Sequence, residues 1–70
     1  MSDYTTMHGL LKELSVLSVQ KLDLIAENTS IIRNITHTAS AENIIKDNMH
    51  LYNIMCEEEK NILKTLSGLI

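Results

Sequence analysis

Apolar residues recur along this chain at alternating steps of four and three. From Leu10 the series runs through Leu14, Leu17, Lys21, Leu24, Asn28, Ile31 and Ile35. The same register continues through Thr38, Glu42, Ile45, Met49, Tyr52, Cys56, Glu59, Leu63, Leu66 and Ile70. Thirteen of those eighteen positions are apolar, counting Tyr52 and Cys56, a stripe dense enough to hold one helix face against a partner helix over many turns.

Lys21, Asn28, Glu42 and Glu59 are polar residues on that seam. Such residues cost stability but fix register and the number of partners. The stripe also widens, on one side through Leu11, Ile25 and Ile32 and on the other through Met55, Ile62 and Leu69. That drift belongs to straight helices of 3.6 residues per turn packed in a bundle.

A break is expected at residues 36–40, Thr-His-Thr-Ala-Ser. The β-branched Thr36 and Thr38 are poor helix formers, Ser40 is a suitable N-cap, and Glu42 complements the dipole of the following helix and pairs with Lys46 one turn on. The pattern predicts a single all-α domain over 1–70, with helices at about 6–35 and 41–67 and Gly68 as the C-cap. The two helices form an antiparallel hairpin. The alternative is one unbroken coiled-coil helix, about 90 Å long, since neither Pro nor Gly enforces the turn.

Composition adds the reason to expect a second chain. Chains of this size bury only about 60% of their unfolded surface and usually need a disulfide, a metal or oligomerisation. The single cysteine makes no internal disulfide and no zinc pair, and a core without Phe or Trp lacks the usual aromatic volume. Oligomerisation into a helical bundle is the support that is left. The predicted interface is Leu10, Leu14, Leu17, Leu24, Ile31, Ile35, Ile45, Met49, Tyr52, Cys56, Leu63 and Leu66. Val16, Val19, Leu22, Ile44, Leu51 and Ile54 lie off the stripe and form a second predicted interface.

Charge and chemistry exclude more than they propose. The net charge is −3 and the six basic residues are scattered, so nucleic acid is not an expected partner. No stretch approaches the ~20 apolar residues of a membrane span, and the polar face lacks the lysines and boundary aromatics of a membrane-surface helix. Ser2 and Asp3 open the chain without a secretory layout, which points to a cytoplasmic location and leaves the Asn28 and Asn34 sequons as chance matches.

His8, His37 and His50 form no ligand pair at helical spacing, and no metal or other cofactor is expected. Cys56 on the seam is a small buried hydrophobe rather than a nucleophile, for want of a base and an orienting group. Met49 and Met55 fill core space or adapt to a variable partner helix. There is no phosphate-binding glycine loop, no cleft to tune Asp23 and Glu27, and so no basis for an enzyme or a small-molecule substrate.

The expected function is a helical protein–protein interaction module, an adaptor or small chaperone-like subunit of a larger assembly, working as a homo-oligomer or in an obligate hetero-complex. In size and hairpin plan it resembles the small co-chaperones of bacterial secretion systems, a comparison of shape that no residue motif carries. The alternative is a small regulatory protein that sequesters a regulator, with DNA binding disfavoured by the lack of a basic recognition helix.

Overall fold

A computed structural model describes residues 2–34 and 38–69 of the chain. Within them lie two helices, α1 at Ser2–Arg33 and α2 at Ala39–Leu69. At about 1.5 Å per residue each is close to 48 Å long, and the molecule measures 53 × 15 × 12 Å. The helices lie side by side and antiparallel, since low-numbered residues of α1 face high-numbered residues of α2. Lys21 meets Glu59, Asn28 meets Asn48, and Asp3 shares a hollow with Leu69. The hairpin is therefore formed, and the single long helix is excluded.

The helix ends differ from expectation in three places. α1 begins at Ser2 rather than residue 6, with Asp3 in its first turn and Arg33 in its last to match the dipole. The N-cap of α2 is Thr38, not Ser40: its Oγ1 accepts a hydrogen bond from the Ala41 amide at 3.1 Å, and its carbonyl accepts from the Glu42 amide at 3.1 Å. A threonine that is unfavourable inside a helix is favourable here because its hydroxyl satisfies an orphan N–H. Gly68 lies inside α2, which runs to Leu69, so it does not cap the helix. The expected loop residue His37 and the seam positions Ile35 and Ile70 lie outside the described residues.

Threonines within the helices are accommodated by back-bonding. Thr29 Oγ1 donates to the Ile25 carbonyl at 2.8 Å and Thr65 Oγ1 to the Asn61 carbonyl at 3.0 Å.

Along α1 the stripe positions Leu10, Leu14, Leu17, Lys21, Leu24, Asn28 and Ile31 are buried or half-buried, joined by Met7 at the open end. The seam of α2 takes a different phase. It runs through Ala41, Ile45, Asn48, Tyr52, Met55, Glu59, Ile62, Leu66 and Leu69, with Cys56 half-buried beside it. Met49 and Leu63, expected on the seam, are 49% and 54% exposed. Thr38 and Glu42 are exposed as well. The two phases share Ile45, Tyr52, Glu59 and Leu66, and opposition to α1 decides between them. Asn48 finds a partner in Asn28, while Met55, Ile62 and Leu69 supply the apolar filling.

Candidate interaction surface

The hairpin closes on very little. Among the described residues only Leu17 and Leu66 are buried apolar side chains, each at 8% exposure. The Cα radius of gyration is 16.1 Å, where a compact domain of 70 residues has about 11 Å. The accessible surface is 5505 Å², against about 4,400 Å² expected for a folded monomer of 7.9 kDa. A layer two helices thick cannot enclose a core, so apolar side chains that the sequence supplies remain in solvent.

At mid-length the seam is polar. Lys21 Nζ donates to Glu59 Oε1 at 2.6 Å, and Ser18 Oγ donates to Glu59 Oε2 at 3.4 Å. The same ammonium lies 3.9 Å from Cys56 Sγ and 5.1 Å from the centre of the Tyr52 ring, a cation–π contact. The hydrogen bond to Glu59 raises the pKa of Lys21, against the opposing effect of desolvation. One turn-pair toward the connection, Asn48 Nδ2 donates to Asn28 Oδ1 at 2.9 Å, both residues being buried. No buried side-chain N or O among the described residues is left without a hydrogen-bond partner.

This arrangement specifies alignment more than chemistry. Two polar pairs, each with one member on each helix, penalise any slip of the hairpin, because a slip buries an amide or a charge without its partner. Among the described residues no group of three His, Cys, Asp or Glu could hold a metal ion. No described helix is long and apolar enough to cross a membrane.

The six apolar residues predicted to lie off the stripe are exposed. Val16, Val19, Leu22, Ile44, Leu51 and Ile54 are between 44% and 65% exposed. They do not form one patch. Val16 falls on the row Gly9–Val16–Asp23, while Ile44 and Leu51 fall on the row that leads to Glu58. Val16 and Glu58 line one hollow with Glu13 and Lys12. Val19 and Leu22 lie on other rows of α1.

A further group was foreseen only in part. Leu11, Ile25 and Ile32 are exposed on α1, and Met49 and Leu63 on α2. Their spacings are seven or fourteen residues, with Ser18 and Cys56 at the intervening positions, so each set keeps to one flank of its helix. The two rows share a flank of the hairpin, because Ser18 of the first and Cys56 of the second both reach the Lys21–Glu59 pair. The signal in the sequence was the third apolar position per heptad, read as a widening of the seam.

No protein-family model, curated protein sequence or solved structure matches this chain.

Proposed function

We propose that this chain is a helical protein–protein interaction module, an adaptor or small chaperone-like subunit of a larger assembly in the cytoplasm, and not an enzyme. The supporting observation is the imbalance, among the described residues, between a core of two buried apolar residues and twelve large hydrophobic side chains left exposed. Exposed apolar patches on a folded protein mark interaction surfaces, and each such side chain gains about 1.5–3 kcal/mol when it leaves water. The partner is a protein with helical surfaces of its own, engaged by packing rather than by a pocket or a cofactor.

The second reading, sequestration of a regulator, draws on the flank that carries Glu13 and Glu27 of α1 and Glu58 of α2 beside Ile44 and Leu51, all exposed. A basic amphipathic helix would find both charge and apolar complement there.

Photo-crosslinking residues at Leu22 and Leu51, introduced separately in the native host, test the proposal. Crosslinks to protein, to the same chain or another, are expected from at least one position. Absence of protein crosslinks from both contradicts it.

A further inference from the structure

We infer that the flank bearing Leu11, Ile25, Ile32, Met49 and Leu63 is covered by a second copy of this chain, giving a four-helix bundle; this rests on the interaction-module reading and names the partner of one of its surfaces.

The first ground is periodicity. Each helix buries two positions per heptad in the hairpin, and on a flank common to both the position beside them is an exposed apolar residue at Leu11, Ile25 and Ile32 of α1 and at Met49 and Leu63 of α2, with Ser18, Glu42 and the half-buried Cys56 completing the rows. Two apolar positions per heptad make a two-helix seam, whereas three make the face of a helix inside a bundle.

The second ground is charge. A two-fold contact sets one surface against itself, so it needs a surface that tolerates its own copy. On the α1 side of this flank, the rows through Leu11 and Leu22 contain no Asp, Glu, Lys or Arg. The α2 side adds Glu42, Lys46 and Lys60, of mixed sign. The opposite flank has Glu13, Asp23, Glu27, Asp47 and Glu58, all exposed, with Lys12 reaching its hollow from the outer face. Two copies meeting there would set five carboxylates against five.

The third ground is area. The chain exposes roughly 1,100 Å² more than a compact monomer of its mass, the difference between 5505 Å² and about 4,400 Å². A standard stable interface takes about 800 Å² from each partner. The surplus is enough for one such contact.

The test compares three proteins by light scattering and circular dichroism over a dilution series: the wild type, the pair Ile25→Glu and Leu63→Glu, and the opposite-flank pair Leu51→Glu and Ile54→Glu. All four sites are exposed in the hairpin, so its own seam is left intact. A wild-type mass of twice 7.9 kDa is expected. The first pair should weaken the dimer about 100-fold or more, since two-fold symmetry repeats each lesion. The second pair should leave it unchanged.

A dimer lost only in the opposite-flank variant overturns the inference while leaving the interaction-module reading intact. A wild-type monomer of low helicity does the same and points to a different protein as partner. A stable, fully helical wild-type monomer overturns both.

Discussion

Asn28 and Asn48 face each other across the hairpin, 2.9 Å apart and almost wholly removed from solvent. Each amide is the other's partner within the seam, two turns from the Lys21–Glu59 pair. Their effect is best seen by removing one. Asn48→Ala leaves the Asn28 amide buried and unpaired, which should cost about 1–3 kcal/mol by chemical denaturation. Replacing both with leucine should recover most of that loss, at the expense of a single well-defined alignment. Equal and negligible effects of the single and double changes would show that the pair does not set the register.

Ten residues on either side of position 38 lie Asn28 and Asn48, and that symmetry was the available sequence signal for their meeting. Periodicity alone missed it. In α1 one phase collects the apolar residues cleanly, so Leu10 to Ile31 could be placed from spacing. In α2 two phases share Ile45, Tyr52, Glu59 and Leu66 and differ by one residue elsewhere. Counting apolar side chains favours Met49 and Leu63 over Asn48, because a polar residue looks wrong on a seam until its partner is known. Register in a helix pair is a property of two surfaces, and a single stripe describes only one of them. The same limit applies to the exposed flank: its apolar row is visible in sequence, but that the rows of α1 and α2 lie on one side requires the hairpin.

The cap of α2 gives a sharp local prediction. Thr38→Ala removes the acceptor for the Ala41 amide and should destabilise the fold by about 1 kcal/mol. Ser40→Ala, at the position that sequence favoured, should change stability by only a few tenths of that. Thermal melts of the two variants followed by circular dichroism would separate these roles, and a larger loss in the Ser40 variant would refute the assignment.

Both glycines lie within helices, and a Cβ built at Gly9 or Gly68 meets nothing within 4 Å. Replacing Gly9 with alanine should raise stability by about 0.5–1 kcal/mol, through the lower entropy of the unfolded chain and better helix propensity. Gly68→Ala, in the fraying last turn, should give less. A loss of stability at Gly9 in urea titrations would mean that something packs closely on this face of α1.

Lys21 links the helices through Glu59, and its raised pKa fixes the sign of a pH effect. A base held more tightly protonated in the folded state contributes stability at all pH values below its unfolded pKa, and loses it as pH climbs through the folded one. Wild type should therefore lose more stability than Lys21→Met on going from neutral pH to above about pH 10, and the difference between them should shrink in high salt. Parallel alkaline profiles for the two proteins would show that the ion pair contributes nothing.

On the proposed function, this hairpin is an unfinished core whose helices are stabilised by another chain. Light scattering across a dilution series of the purified protein, with far-ultraviolet circular dichroism on the same samples, tests it most directly. Mass and helicity are expected to fall together as the protein is diluted, because association and folding are linked. A particle of 7.9 kDa that stays fully helical and melts cooperatively at every concentration would contradict it.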